Sequence, residues 1–264
     1  MEIQIIKDRC ALEEYFRRNL PLHLYSLGDL DDFYWPRITC YGIQTRKGLK
    51  NVTPFYRGEG LPVLLAFGEL DPDYLCQLQS LLPDRFYAHM SAGLIKEFSG
   101  NFLVTAHGDH FKMALVNFDP IKKTNTNNTF QLVETDLHEV NQLYRESYPD
   151  NAFDPRMLES GKYIGMRCQG RLVSIAGIHT YSAAYRVAAL GNIATHPDFR
   201  GQGFGKAVTA RLCQLLEGTI DFIGLHVKCE NQPALSLYQS LGFRISNVYG
   251  EFSLKSGSNR RFSL

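Results

Sequence analysis

The stretch Val187-Ala188-Ala189-Leu190-Gly191-Asn192-Ile193-Ala194-Thr195-His196-Pro197-Asp198-Phe199-Arg200-Gly201-Gln202-Gly203-Phe204-Gly205-Lys206 changes character twice. From Val187 to Thr195 it is mostly apolar and short, which reads as a buried strand. His196-Pro197 breaks that strand, with His196 shaping the turn. Three glycines then fall between Gly201 and Gly205, just before a helix whose apolar side is Val208, Leu212, Leu215 and Leu216. Glycines at such a point let the backbone come close to a ligand, and the N–H groups left over at a helix start attract a phosphate. Arg200 and Lys206 add positive charge to the same spot. A glycine-rich turn selected only for its backbone angles would look the same so far. No Gly-Lys-Ser/Thr follows, so this is not a Walker loop. The strand belongs to an antiparallel meander and no acidic residue closes the next strand, so it is not a dinucleotide fingerprint either.

The flanks supply the rest of the pattern. Residues 222–228 read as a strand, and Asn231-Gln232-Pro233-Ala234-Leu235-Ser236-Leu237-Tyr238-Gln239-Ser240-Leu241-Gly242-Phe243 as a fully punctuated helix. Asn231 can cap it, Pro233 suits its first turn, Ala234, Leu237, Tyr238 and Leu241 share one face, and Gly242 ends it. Upstream lie a strand at 130–133 and a helix from Thr135 with Asp136 as cap and Val140, Leu143 and Tyr144 inward. A short helix at Asp154-Pro155 follows, then strands at 163–168 and 172–181 around the turn Gln169-Gly170-Arg171. With the last strand at 243–254 the predicted order is β-α-α-β-β-β-α-β-α-β.

R-x-x-G-x-G after a strand-Pro segment, followed in order by N-x-x-A-x-x-L-Y-x-x-x-G-F, resembles the Gcn5-related N-acetyltransferase (GNAT) family over roughly residues 130–254. The resemblance implies an α+β fold there, a mixed, mostly antiparallel central sheet flanked by helices. It implies acetyl-CoA, or another acyl-CoA, as cofactor. Arg200, Gly201, Gln202, Gly203, Phe204, Gly205 and Lys206 would hold the pyrophosphate. Asn192, Ile193, Ala194 and Thr195 would pair with the pantetheine arm where their strand splays from 222–228, and Asn231, Ala234 and Tyr238 would complete the cofactor side. The implied reaction is N-acyl transfer to the amine of a small molecule or amino acid, by direct attack in a ternary complex. Tyr238 would be catalytic as proton donor to the thiolate, with a backbone N–H of 192–195 facing the oxyanion. The same Tyr238 also fits a plain amphipathic face.

Acyl transfer needs the amine neutral, and an amine of pKa about 8 to 10 must lose a proton first. Many family members carry a glutamate on the strand matching 187–191, but Val187-Ala188-Ala189-Leu190-Gly191 has no titratable side chain. His179, Glu230 and Glu251 are the available sources of a base, directly or through water. Tyr148, Tyr181 and Tyr249 are candidates to line the acceptor pocket, and the apolar end around Ile193 suits a short acyl group. The missing glutamate also leaves open a non-catalytic acyl-CoA-binding or regulatory module. A nucleotide-binding protein using the loop for another phosphate ligand is a third reading.

The chain has 264 residues, 44% hydrophobic and 21% charged, too apolar for disorder and long enough for two domains. The break in composition is Lys122-Lys123-Thr124-Asn125-Thr126-Asn127-Asn128-Thr129, polar and without apolar period, which reads as a linker. This divides the chain into a smaller α/β domain at 1–122, an acyltransferase domain at 130–255 and a loose tail at 256–264. Before the linker the sequence predicts a helix at 10–19, strands at 33–45 and 63–68, and a helix from Asp71-Pro72 to Leu82. Strands at 86–90, 102–107 and 113–118 follow, with Gly108-Asp109 as a hairpin turn pointing His107 and His110 independently outward, so that no metal site is expected. Trp35 reads as a core aromatic in a strand. Some relatives, the glycine N-acyltransferase type and FR47-like proteins, carry a degenerate copy of the fold in this half, and the alternation of helix and strand is similar.

The net charge of +1, from 28 Lys+Arg against 27 Asp+Glu, lacks the basic excess of a nucleic-acid binder. No apolar window of about 18 residues occurs and the start is not a signal sequence, so a cytoplasmic protein is expected, with no membrane partner and a homodimer allowed. Six scattered cysteines without a C-x-x-C pair read as reduced, mostly buried small hydrophobes. The two glycosylation-type triplets at Asn51 and Asn127 are then coincidental.

Overall fold

The computed structural model describes residues 2–257 except Glu59, Asp150 and Ala152. The proposed tail at 256–264 falls almost wholly outside them. The chain forms two compact units, one from residues up to Lys112 together with the chain from Ser246 onward, the other from Met113 to Ile245. The polar run at 122–129 therefore lies inside the second unit, not between the two, and the last strand is shared.

The first unit starts with β1 (Gln4–Ile6), α1 (Arg9–Arg17) and α2 (Leu20–Gly28). Asp8 begins α1 by accepting a bond from the Ala11 N–H at 3.1 Å, and Leu12 and Phe16 are its buried face. Next come β2 (Ile38–Thr45), β3 (Gly48–Tyr56), β4 (Val63–Ala66), α3 (Pro72–Gln79), β5 (Arg85–Ser91) and β6 (Phe102–Leu115). The sheet order is β1-β2-β3-β4-β5, then the end of the last strand, then β6. From β1 to β5 the neighbours pair antiparallel except β4 and β5, and the last strand pairs antiparallel with β5. Phe55, Leu64, Leu75, Phe86 and Phe98 form the centre of its core.

Three expectations fail here. No hairpin occurs at Gly108-Asp109: Gly108 takes φ +99° but β6 runs on for 14 residues. Trp35 is not in a strand but opens a single 3-10 turn, with the Arg9 guanidinium 5.1 Å above its ring. Cys10 and Cys76 are exposed and only Cys40 and Cys213 are buried, all six as free thiols.

The second unit contains α4 (Asp119–Lys123), β7 (Thr129–Gln131), α5 (Leu137–Ser147), β8 (Ile164–Cys168), β9 (Arg171–Ser182) and β10 (Val187–Thr195). It continues with α6 (Phe204–Leu216), β11 (Phe222–Lys228), α7 (Gln232–Ser240) and the start of β12 (Phe243–Ser256). Its sheet runs β11-β10-β9-β8-β7, antiparallel except for the parallel pair β10 and β11. Gln169 and Gly170, both at positive φ, make the tight β8–β9 turn. Asp154 caps a 3-10 turn, Pro155–Ser160, through the Arg156 N–H at 2.9 Å. Asp136 does not cap α5; its carboxylate accepts from the Val133 N–H at 3.0 Å and from Arg167 at 2.7 Å. Among the described residues no helix is long and apolar enough to cross a membrane.

Candidate functional site

The carboxyl end of β10 is where the parallel pairing with β11 stops. The parallel ladder with β11 has register partners from Val187 with Phe222 to Leu190 with Leu225. Beyond Leu190 the strand answers to β9 alone, and there it is irregular. Gly191 faces Gly177, yet the next registered pair is Ala194 with Ile175, so β10 holds one residue more than β9 over that span. The bulge is made by Asn192, which takes φ +52°, a left-handed backbone that asparagine tolerates better than most side chains.

Asn192 is 2% exposed and held on two sides. Its carbonyl accepts from the Tyr144 hydroxyl of α5 at 2.7 Å. Its Nδ2 donates to the Tyr163 hydroxyl at 2.9 Å, and that hydroxyl donates to the Ile178 carbonyl at 3.1 Å. Phe153 lies between the two tyrosines, 5.2 Å and 5.5 Å from their rings. This aromatic bracket was not read from the sequence. Its one signal is Gly177, where a Cβ would lie 2.2 Å from the Tyr163 ring: a glycine inside a strand marks a close approach.

Past β10, His196 and Pro197 start a 3-10 turn, with His196 Nδ1 accepting from the Asp198 N–H at 3.3 Å. Its Nε2 lies 3.0 Å from Arg171 Nη2 and 3.3 Å from the Glu146 carboxylate, a group drawn below its ordinary value by hydrogen bonds from Gln142 and Arg171 against some desolvation. His196 therefore shapes the turn, as expected. Gly201 and Gly203 both take positive φ, +75° and +86°, and Gly203 sits at the cap position of α6. No side chain among the described residues caps that helix start. Gly201, Gln202 and Gly203 are exposed, and they stand at the positive end of the α6 dipole. Gly205 cannot carry a side chain cheaply, because a Cβ would be 3.1 Å from Thr195 Oγ1 and 3.2 Å from Leu237.

The other predicted residues divide. Arg200 is exposed, but its guanidinium turns back to the Thr195 carbonyl at 3.2 Å and the Ser147 carbonyl at 3.5 Å. Thr195 Oγ1 meets the Ser174 hydroxyl at 2.8 Å. Asn231 caps α7 through the Ala234 N–H at 3.2 Å. Tyr238 is 8% exposed, and burial, with the Tyr148 hydroxyl nearby, pushes its phenol well above the ordinary range. It therefore stays protonated at neutral pH. Asn125, Asn127 and Asn128 form one wall of a cleft of about 170 Å³ whose other wall includes Gln202, Gly203 and Phe204.

Of the candidate bases, Glu230 is exposed and His179 is partly exposed in β9. Glu251 belongs to the first unit. There its carboxylate accepts from Tyr87 at 2.6 Å and Tyr249 at 2.8 Å, with His89 and His110 each at 3.5 Å. Burial pushes it up, but His89, the Tyr87 bond, His110 and the Tyr249 bond outweigh that and hold it below the ordinary carboxylate value. Of the three pocket tyrosines, Tyr148 is 41% exposed, while Tyr249 is 1% exposed inside this same cluster. Tyr181 is half-buried, with the Lys162 ammonium 5.4 Å over its ring.

Three comparisons bear on this geometry. The Acetyltransferase (GNAT) family model matches residues 129–243. An N-alpha-acetyltransferase RimI of Mycobacterium tuberculosis is 29% identical over 119 residues, 43% of this chain and 72% of that protein. An uncharacterised Mycobacterium leprae protein is 33% identical over 122 residues, and the matched part spans only 31% of its length. A solved GNAT-family structure from Novosphingobium aromaticivorans covers 90% of this chain and 99% of its own, with a TM-score of 0.62 at 19% identity, a likeness of fold.

Proposed function

We propose that this chain, whose residues 129–243 match the GNAT acetyltransferase family, is an acyl-CoA-dependent N-acyltransferase, with acetyl-CoA as donor and the amine of a small molecule or amino acid as acceptor. The observation that carries the proposal is the closeness of two features: the uncapped start of α6 and the end of β10, where the pairing with β11 has stopped. The two suit the two parts of coenzyme A. Main-chain N–H groups from Gln202 to Lys206 would grip the diphosphate, each charge-assisted bond contributing about 1.5 to 3 kcal/mol. Asn192, Ile193, Ala194 and Thr195 would offer strand-like hydrogen bonds to the pantetheine amides. Arg200 and Lys206 add charge at longer range, since the Arg200 guanidinium is already bonded to main-chain carbonyls.

Acetyl-CoA, when bound, supplies an acetyl thioester whose carbonyl carbon is open to an amine. A backbone N–H around the Asn192 bulge would face the developing oxyanion, a preorganised donor of the sort that lowers acyl-transfer barriers. Tyr238 holds a proton on its hydroxyl and would give it to the departing sulfur; its raised pKa keeps that proton available across the physiological range. The clamp of Tyr144 and Tyr163 on Asn192 fixes the bulge that both functions depend on.

Release of free CoA thiol is the test. Purified chain with acetyl-CoA is screened against glycine, other amino acids, polyamines and an alanine-initiated hexapeptide, the last because one relative is named an N-alpha-acetyltransferase. Tyr238→Phe should lower kcat by about 100-fold, the low end of general-acid contributions, and leave the calorimetric Kd for acetyl-CoA within about twofold. A chain that gives no heat with acetyl-CoA overturns the proposal, and so does a Tyr238→Phe variant of full activity for the role of that residue.

A further inference from the structure

Acetylation of an amine requires a group to receive the proton that the nitrogen sheds, and β10 carries no titratable side chain between Val187 and Thr195. We propose that the imidazole of His179, on the neighbouring strand β9, receives it; the assignment rests on the acyltransferase function proposed above. Strand β9 presents His179 by a bulge. Ala189 pairs with Thr180, but the next residue, Leu190, pairs with Ile178, so His179 is the extra residue between them. Bulges gather beside active sites because they re-aim one side chain out of an otherwise regular strand. The burial of β9 follows the same logic: Leu172 to Ile178 and Thr180 are buried, while His179 between them is partly exposed.

The position of the ring is fixed by what it lies on. A Cβ added to Gly191 would fall 1.9 Å from His179 Cδ2 and 2.3 Å from Nε2. The Cδ2–Nε2 edge of the imidazole therefore occupies the space that any side chain at position 191 would need. Gly191 is also the first residue of β10 past the last pair with β11, and it precedes the Asn192 bulge. A glycine has been placed where β10 could have carried its own base, and an imidazole from β9 fills the gap. Two bulges within a few residues, one on each strand, make that exchange possible.

Four other polar side chains of this unit sit in different settings. The hydroxyls of Tyr144 and Tyr163 donate to main-chain carbonyls. His196 has Nδ1 on the Asp198 N–H and Nε2 beside Glu146. His226 on β11 has its Nε2 shut away from solvent. A neutral imidazole has the side-chain chemistry best matched to taking a proton near neutral pH. The proton balance is complete: the nitrogen lone pair forms the C–N bond, the N–H proton passes to His179 Nε2, and the C–S pair leaves on sulfur. The sulfur takes the Tyr238 proton, and solvent relieves the imidazolium and restores the phenol.

His179→Gln and His179→Ala test the assignment, with the hexapeptide, glycine and spermidine as acceptor probes and acetyl-CoA as donor. Each variant should lose about 100-fold in kcat while binding acetyl-CoA in calorimetry within about twofold of wild type. Added imidazole should restore part of the rate to His179→Ala and none to wild type, which a packing role for the ring would not predict. Gly191→Ala, whose Cβ must displace the ring, should fall by a similar factor and gain nothing from imidazole. Full activity in His179→Gln overturns the assignment, as does a loss that imidazole leaves unrepaired in His179→Ala. If wild type binds acetyl-CoA yet releases no CoA with any probe, the acyltransferase function itself fails and the role of His179 with it.

Discussion

Both units lay helices against a sheet, yet they place their polar groups in opposite ways. The first unit turns them inward. Lys112, 1% exposed, donates to the Leu22 carbonyl at 2.8 Å with its ammonium 3.6 Å over the Phe67 ring, and Glu251 is enclosed by two phenols and two imidazoles. The second unit leaves polar backbone outward: the glycine turn before α6 is uncapped, and β10 parts from its parallel partner β11 after Leu190 although both strands continue. A ligand with a diphosphate and two amides is bound by what a fold leaves unsatisfied. A unit that satisfies its polar groups internally is stiffened by them but has less to offer. The same contrast explains why chemistry is readable along β10 and α6 and not along β5 and β6.

The largest expected effect would break the contrast from the second unit's side. Gly203 holds φ +86° with open space around it, so a side chain there is opposed by backbone conformation and not by collision. Gly203→Val should cost about 1 to 2 kcal/mol of backbone strain or rotate the peptide out of the turn, removing at least one charge-assisted bond of about 1.5 kcal/mol or more. The loss of that bond raises the calorimetric Kd for acetyl-CoA by about 10-fold or more. The unfolding midpoint should fall by no more than that strain, because the added side chain meets no neighbour. Unchanged affinity would mean that the turn is not where the diphosphate lies.

The second prediction tests the inward side. Lys112 is buried, and desolvation holds its amine well below the ordinary lysine value. Lys112→Ala should lower stability by about 3 kcal/mol, since it opens a cavity under Phe67 and leaves the Leu22 carbonyl without its donor. Lys112→Met keeps the volume and removes the desolvation cost, and should come within about 1 kcal/mol of wild type. Equilibrium urea unfolding measures both. If Met is as damaging as Ala, the ammonium itself holds the unit together.

A third, smaller effect lies in the pH dependence. His23 is 6% exposed, between Phe16 and Tyr15, and its Nδ1 meets no partner among the described residues. Desolvation, then the Lys112 charge, lowers it from 6.5 to about 3. The folded chain keeps this imidazole neutral where the unfolded chain binds a proton, so acidification from pH 6.5 towards 3 destabilises the fold and the effect is complete below that. Glu251 adds to the loss in acid: held below its ordinary value, it stabilises above that value and stops doing so as pH falls through its folded one. His23→Leu should flatten the slope of stability against pH over the upper part of this range, by about 1 to 2 kcal/mol. An unaltered slope would show that the ring is already charged when folded.

What was legible in the sequence follows the same division. The β10–turn–α6 segment and the Asn231 to Phe243 helix could be placed almost to the residue, because glycine, proline and asparagine there have local jobs that no tertiary partner alters. In the first unit local signals misled. Gly108-Asp109 looks like a hairpin, but β6 passes through it, so His107 and His110 converge on one cluster: His107 stacks on Tyr87, which donates to Glu251, and His110 lies against that carboxylate. Strand β3 was missed because Asn51, at φ +53°, and Pro54 interrupt its period, and α2 because Asn19 gives it no side-chain cap. The bracket around Asn192 is set by tyrosines 29 and 48 residues away in the chain, a distance over which periodicity carries no information.

The smallest effect belongs to the surface of the first unit. Arg9 reaches the Leu30 carbonyl at 3.1 Å, the Asp32 carboxylate at 2.6 Å and the face of Trp35, but Asp32 is almost fully exposed and the pair is screened. What remains is the stacking of a flat cation on an indole, about 0.5 to 1 kcal/mol at an exposed position. Arg9→Ala should therefore shift the urea midpoint only by that amount, Arg9→Lys by nearly as much because an ammonium cannot stack, and Asp32→Ala hardly at all. A large loss from Asp32→Ala would put the stabilisation in the ion pair, and would mean that the first unit relies on outward charges as well as on those it has buried.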